Sequence, residues 1–214
     1  MMRQRLARLV LAALTTAPLG AAPQHGRLFP PEQLGMLEGP DRDAWQRPDQ
    51  IMDKLLIAEG SVVADVGAGG GWFTMRLAGR VGPNGIVYAQ DVQPQMIEAI
   101  TRRITRAQLR NVKTVLGTQS DPRLPQAIDA ALFVDSYHEL EQPVLMLRKV
   151  AEVLKPGARI GIIEFKKDGW GPGPPMDERM DPEPIVRDAE AAGLRLLSRE
   201  TFLRYQYMLV FSRQ

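Results

Sequence analysis

Val62-Val63-Ala64-Asp65-Val66-Gly67-Ala68-Gly69-Gly70-Gly71-Trp72-Phe73 is the stretch of this chain whose reading decides the fold. Apolar residues around a single acid read as a buried strand. The glycines read as a tight turn, and Trp72-Phe73 opens a helix. A strand, a glycine turn and a helix N-terminus in succession bring main chain close to a ligand, because glycine has no Cβ and accepts left-handed backbone.

The details of the turn narrow the ligand. A dinucleotide fingerprint needs G-x-G-x-x-G. Counted from Gly67, its third glycine falls on Trp72; counted from Gly69, it falls on Thr74. A P-loop would need Gly-Lys-Ser/Thr, which is absent. Asp65 beside a pyrophosphate would repel it, whereas a cationic ligand would be attracted. S-adenosylmethionine carries a sulfonium and an ammonium and no phosphate. Ile86 to Asp91 reads as a second strand ending in an acid. Asp91 lies roughly twenty residues beyond the glycines, where a strand-end carboxylate accepts ribose hydroxyls. That role serves nucleoside cofactors in general and does not choose among them.

Outward from the turn, strands and helices alternate. Strands are expected at 61–66, 86–91, 111–116, 129–134 and 159–165, and helices at 70–80, from Pro94 onward, at 143–154 and at 184–192. Pro94 and Pro143 suit a first helical position, and Lys155-Pro156-Gly157 reads as a helix stop. Strands near 194–201 and 205–212 are close enough to pair antiparallel. The pattern implies an α/β fold with helices on both faces of a mostly parallel sheet. Before it, Gln24 to Pro40 reads as a linker or extended arm. Asp41 to Leu56 looks helical, broken or restarted at Pro48. The domain reading is a signal-like segment at 1–22, an arm with leading helices at 23–60, and the main domain at 61–214.

Composition excludes several classes. The chain has 214 residues, 44% of them hydrophobic, and a net charge of +2. That suits one domain with an ordinary core, and the spread arginines leave no nucleic-acid footprint. Arg102, Arg103 and Arg106 read as a solvated helix end. There is no cysteine, which removes disulfides, thiolate metal sites and a cysteine nucleophile. At the N-terminus, Arg3, Arg5 and Arg8 precede an uncharged, mostly apolar run from Leu9 to Ala22. With Gly20-Ala21-Ala22 at its end, this has the form of a secretory signal, too short for a typical membrane span. Pro23 disfavours cleavage there, so another cut or an uncleaved anchor is the alternative. The expected location is periplasmic or exported; a cytosolic cofactor favours the cytoplasm.

The glycine turn, the second-strand acid and the later segments together resemble the class I S-adenosylmethionine-dependent methyltransferases. Asp65, Gly67, Gly69 and Gly71 match that family's acid-x-Gly-x-Gly-x-Gly motif, and Asp91 its second-strand acid. Gly117-Thr118-Gln119-Ser120-Asp121, Phe133 to Glu139 and Leu154 to Ile160 continue the likeness. Ala158 departs from it, standing where a second glycine is usual. The resemblance implies a Rossmann-like seven-stranded sheet with a reversed C-terminal strand and S-adenosyl-L-methionine as cofactor. It implies cofactor contacts at Asp65, Gly67, Ala68, Gly69, Gly71, Asp91, Val92, Ser120, Asp121 and Asp135. It also implies leading helices packed over the cofactor, with Trp45 and Arg47 as candidates to line it.

Ligands in open α/β sheets bind beyond the carboxyl ends of the strands. His138 follows the fourth strand there and, apart from His25 in the arm, is the only histidine. A neutral imidazole near pH 7 can take a proton from a hydroxyl or amine. His138 is therefore the candidate base or acceptor-binding residue, with Asp135 and Glu139 able to orient it. No metal site is expected, although Asp135, His138 and Glu139 together contain metal-ligand types. Asp-Ser-Tyr-His lacks the Pro-Pro-Tyr type of motif of nucleic-acid amino-methyltransferases, which counts against a nucleic-acid acceptor; the expected acceptor is a small molecule methylated at O or N. A protein or RNA acceptor, or a binding module without turnover, is the alternative. Asp168 to Pro184 borders the same crevice as a lid or connector anchored by Trp170.

Overall fold

The computed structural model describes residues 26–125, 127–167 and 171–214. The signal-like segment, His25 and Trp170 lie outside the described residues. Seven strands form the sheet: β1 Val62–Val66, β2 Ile86–Asp91, β3 Val112–Leu116, β4 Ile128–Val134, β5 Leu154–Phe165, β6 Leu194–Glu200 and β7 Gln206–Arg213. Their order is β3-β2-β1-β4-β5-β7-β6. Neighbours from β3 to β5 run parallel, and β7 runs antiparallel to both β5 and β6. This is the expected Rossmann-like sheet with its reversed C-terminal strand. The order turns back between β1 and β4, so a crevice opens above their carboxyl ends.

Side-chain alternation explains why both faces are covered. On β1, Val63 enters one core, while Ala64 and Val66 enter the other. On β4, Ala130, Leu132 and Val134 face the first core, and Ala131 and Phe133 the second. A period of two with apolar residues on both sides is the mark of a strand buried on both faces. The first core takes Ile51, Met52, Leu77 and Ile100 from α2 (Pro48–Lys54), α3 (Trp72–Val81) and α4 (Pro94–Arg106). The second takes Leu147, Val150, Ile185 and Ala189 from α5 (Pro143–Glu152) and α6 (Pro182–Ala191). Among the described residues no helix is long and apolar enough to cross a membrane.

Two segments differ from the sequence reading. Lys155-Pro156-Gly157 ends no helix; it lies inside β5, which begins at Leu154. Leu154 pairs with Ile128, and the register then shifts before Ala130 meets Arg159. That irregularity absorbs the Pro-Gly pair without ending the strand. The arm is also more ordered than a linker. It forms a 3-10 helix at Pro31–Leu37 that lies against the glycine turn. The leading helix does break at Pro48: α1 (Arg42–Gln46) ends at Arg47 in left-handed backbone (φ 51°), and Pro48 starts α2.

A close approach joins the turn after β1 to the loop after β4. A Cβ on Gly67 (φ +72°) would lie 2.6 Å from Ser136 Cβ. Replacing Gly67 by Ala adds that clash to the cost of left-handed backbone. The expected loss is about 2–4 kcal/mol of unfolding free energy, read by urea denaturation. A loss below about 0.5 kcal/mol would show that the contact is slack.

Candidate cofactor and acceptor site

The glycine turn is built from main-chain hydrogen bonds. Gly67 and Ala68 both donate N–H to the Gln90 carbonyl, at 3.0 and 2.9 Å. Asp91 holds the other side: its Oδ2 accepts from Gly69 N and its Oδ1 from Gln93 N, both at 2.9 Å. The Val92 N–H also bonds this carboxylate. Burial raises the Asp91 carboxyl above the ordinary carboxylate range, and these N–H donors oppose the rise. The carboxylate thus fastens the turn to the end of β2, and its oxygens retain acceptor capacity for hydroxyls in the crevice. Gly67, Gly69 and Gly71 all have positive φ. Their Cβ positions face Ser136, Leu37 and Ile100, so the missing side chains also let the turn pack against β4, the arm and α4.

Asp65 lies beneath the turn rather than in its mouth. It is 2% exposed and accepts a 2.6 Å hydrogen bond from Thr74 Oγ1. Burial pushes its carboxyl to about 6, with Thr74 and Arg42 opposing. Arg42 is a residue that the sequence reading missed. Its guanidinium stacks 4.2 Å from the Trp72 ring centre, and Asp135 and Asp65 are the acids whose charge acts on it most. Burial lowers it to about 10 against those two acids, so it stays charged at neutral pH. It also donates to Gln46 Oε1, and Gln46 Nε2 donates to Gln206 Oε1 at 2.9 Å. This chain of contacts ties the crevice to β7. Arg47, the expected lining residue, is exposed and donates to the Phe202 carbonyl at 3.2 Å. Arg42 and Gln46 are four apart on α1, hence on one helix face. Arg47 falls beyond the helix end.

The loop after β4 holds a tight polar cluster. Glu164 is fully buried on β5. Its Oε1 accepts from Tyr137 N at 2.8 Å and His138 N at 3.3 Å, and its Oε2 lies 2.9 Å from His138 Nδ1. Burial alone would lower the His138 pKa, but Glu164, Asp135 and Glu139 outweigh it and raise it to about 10. The pairing with Glu164 favours the protonated imidazole. The group that touches its Nδ1 is Glu164 rather than Asp135 or Glu139. Glu164 was legible as a lone acid in the apolar run Ile160 to Phe165.

Asp135 stands beside this pair. Its backbone is left-handed (φ 55°), an uncommon conformation for a residue with a side chain. Oδ1 is shut off from solvent with no hydrogen-bond partner among the described residues. Burial and the neighbouring Glu164 push its carboxyl well above the ordinary range. Asp135, His138 and Glu164 each bring one ligand-type atom to within 4.8 Å of the others. Within this group, His138 Nδ1 is engaged by Glu164 Oε2.

The remaining candidates sit at the rim. Ser120 and Asp121 lie on the loop after β3, whose Gly117 N donates to the Asp91 carbonyl. Asp121 Oδ1 accepts from Arg123 N at 2.7 Å, and Thr118 N donates to the Asp121 carbonyl. Both partly buried residues border the Asp91 side. Above the crevice, the Phe29 carbonyl accepts from Gln93 Nε2 at 3.0 Å, and its N–H bonds the Glu139 carboxylate. The arm therefore spans from the β2 side to the β4 side. Burial raises Glu139 to about 7, with His138 and Phe29 opposing.

This donor set fits a cationic nucleoside cofactor. Five carboxylates (Asp65, Asp91, Asp135, Glu139 and Glu164) converge on the strand ends against the cations Arg42, His138 and Arg179. A sulfonium and an ammonium would relieve the carboxylates that burial strains. A pyrophosphate would worsen that strain. Fold and site together define a Rossmann-like binder of a nucleoside bearing positive charge.

Comparison with known proteins gives the family. A family model described as a methyltransferase domain matches residues 63–157. An uncharacterised methyltransferase of Mycobacterium tuberculosis is 34% identical over 128 residues, covering 58% of this chain and 49% of that protein. A protein-L-isoaspartate O-methyltransferase of Methanothrix thermoacetophila is 31% identical over 146 residues, covering 63% and 67%. The crystal structure of an S-adenosylmethionine-dependent methyltransferase from Aquifex aeolicus superposes with a TM-score of 0.80. It is 28% identical and covers 86% of this chain and 98% of that one. The chain belongs to the S-adenosylmethionine-dependent methyltransferases, and S-adenosyl-L-methionine is its cofactor. It spans about half the length of the mycobacterial relative.

The His138–Glu164 pair gives stability a pH signature. A histidine pKa raised from 6.5 to about 10 stabilises the fold fully below 6.5, and that stabilisation disappears as pH climbs through 10. The difference in unfolding free energy between the wild type and His138→Gln should be largest near pH 6 and shrink steadily toward pH 10. A pH-independent gap in denaturant titrations would mean that the folded imidazole is neutral.

Proposed function

We propose that this chain transfers the methyl of S-adenosylmethionine to a small-molecule acceptor, at an ionisable oxygen or nitrogen. The observation that carries this reading is the roof over the crevice. Phe29 bridges Gln93 and Glu139, while Leu34 and Leu37 lie against Gly70 and Gly69. A strap across the strand ends obstructs the approach of a folded macromolecule. The alternative, a protein acceptor, has the isoaspartate methyltransferase relative in its favour. Other relatives are named demethylmenaquinone methyltransferases, at 26% identity over 117 residues in the example from Geobacillus. These names favour an acceptor other than a protein.

The residues divide the work as follows. Asp91 would hold the ribose hydroxyls, with Val92 beside it. Ser120 and Asp121 would contact the adenine. Main chain at Gly67, Ala68, Gly69 and Gly71 would border the amino-acid part, whose ammonium is favoured by Asp65 from beneath. When bound, the cofactor supplies a methyl on a sulfonium, an activated leaving group. The protein's part is to hold the acceptor atom in line and to take its proton. Positioning of this kind lowers a barrier by up to about 7–11 kcal/mol. Asp135 is the proton acceptor that the geometry supports, because its Oδ1 is unpartnered and its affinity for a proton is raised by burial and Glu164. His138, as an imidazolium on Glu164, would bind the acceptor as its anion forms.

Export rests on the N-terminal segment alone and is proposed on that ground, with the cytoplasm as the alternative; cell fractionation decides between them.

Incubation with labelled S-adenosylmethionine and an acceptor library tests the reading. It expects label in one class of small hydroxy or amino compound; label in proteins or RNA alone would overturn it. Replacing Asp91 by Ala should weaken cofactor binding by about 1–3 kcal/mol in calorimetry; unchanged affinity would remove its ribose role. Replacing Asp135 by Asn should lower turnover by about 10²–10⁴-fold, and an unchanged rate would assign proton removal elsewhere.

A further inference from the structure

The α1 helix lies at the carboxyl edge of the sheet. Arg42 turns toward Asp65 and Asp135 in the crevice. Trp45, three residues on, has its ring centre 6.0 Å from the Arg42 guanidinium. Its ring lies 5.8 Å from Phe165 at the end of β5 and 5.9 Å from Tyr205 just before β7. On that side lies a cavity of about 260 Å³. Trp45, Phe202 and Tyr205 supply its aromatic lining, Arg47 and Arg204 two cations, and Asp41 one acid.

The charges of this cavity are unbalanced. Among the described residues no carboxylate forms an ion pair with Arg47 or Arg204. The Arg47 guanidinium reaches the Phe202 carbonyl, and Arg204 sits 5.0 Å over the Tyr205 ring. Guanidinium groups in that state suit a carboxylate, which they bind through paired N–H donors. The aromatic walls are fixed from behind. The chain passes so close at Gly171 and Gly173 that a Cβ there would lie 2.5 Å from Tyr205 and 2.7 Å from Phe165. Both glycines have positive φ. Arg179 holds that loop through the carbonyls of Pro174, Lys166 and Pro172. Walls ordered before a ligand arrives lower the cost of binding it.

The position along the sheet connects the cavity to the chemistry. From the end of β4, where Asp135 sits, to the start of β7 beside Tyr205 is two strand spacings, about 10 Å. A planar molecule can span that distance.

We propose that this cavity binds the anionic aromatic end of the methyl acceptor: a planar carboxylate whose nucleophilic atom lies about 10 Å away, toward Asp135. The proposal rests on the methyl-transfer reading and names its substrate class. Arg47 and Arg204 take the carboxylate, and Trp45, Phe202 and Tyr205 take the ring.

The probe is 6-hydroxy-2-naphthoate, which carries its hydroxyl and carboxylate at opposite ends of a fused ring. Its cationic counterpart is 6-aminomethyl-2-naphthol. Both are titrated into the full chain by calorimetry, in parallel with S-adenosylmethionine. The naphthoate should bind at least about tenfold more tightly than the amine. The double variant Arg47→Gln, Arg204→Gln should erase that preference and leave cofactor affinity within about twofold. Trp45→Leu should weaken both probes, because the ring contact serves either charge. Equal affinity for the two probes in the wild type, or an unchanged preference in the double variant, overturns the proposal. Retained cofactor binding shows that a variant is folded. If the wild type binds the naphthoate and not the cofactor, the methyl-transfer reading fails and the cavity stands as an anion site. If it binds the cofactor and not the naphthoate, the cavity proposal alone fails.

Discussion

The contact between Gly67 and Ser136 is the constraint on which the site depends. It lies where the strand order turns back, so it joins the two halves of the sheet at the crevice floor. Ser136 Oγ donates to the Val66 carbonyl at 3.0 Å, an approach that a side chain at Gly67 would prevent. With β1 and β4 fixed in this way, the turn after β1 can close on Gln90 and Asp91. Asp135, one residue before Ser136, is then held in left-handed backbone at the crevice edge. A single absent Cβ thus sets the spacing between the cofactor turn and the group proposed to take the acceptor's proton.

On this frame the site gathers more negative charge than it neutralises. Burying a carboxylate without a full partner is costly, and the usual response is proton uptake. Asp65, Asp135 and Glu139 all show that response, with pKa values raised by burial. Three nitrogens of the loop after β4 converge on the buried Glu164 carboxylate. The arrangement stores electrostatic strain that a cationic ligand relieves.

The fold was legible because its signals are local. The strand-turn-helix unit at Val62 to Phe73, the apolar alternation and the prolines at helix starts each act within a few residues. Leu154 was misread because its strand pairing to Ile128 overrides the local Lys-Pro-Gly signal. The site was legible only where a motif marked it. Asp91 and the glycines stand on strand ends that the spacing locates. The pairing of His138 with Glu164 joins residues 26 apart in sequence, and no local period records such a contact. Arg42 was hidden for a different reason. Its role depends on the direction of a five-residue helix, which is set by packing of the arm and the β6–β7 connection rather than by its own sequence.

That short helix shows how the acceptor side is organised. A continuous helix through Pro48 would carry residues 42 to 54 along one axis. Proline lacks the N–H to continue the ladder and restricts the residue before it, and the chain turns at Arg47 in left-handed backbone. The break frees α1 to lie across the sheet edge while α2 packs into the core through Ile51 and Met52. Because α1 is then little more than one turn long, Arg42 and Trp45 are held by what they touch: Trp72 and Gln46 for one, Phe165 and Tyr205 for the other. A cofactor drawing on Arg42 and an acceptor stacking on Trp45 would act on the same turn, whose two side chains lie 6.0 Å apart.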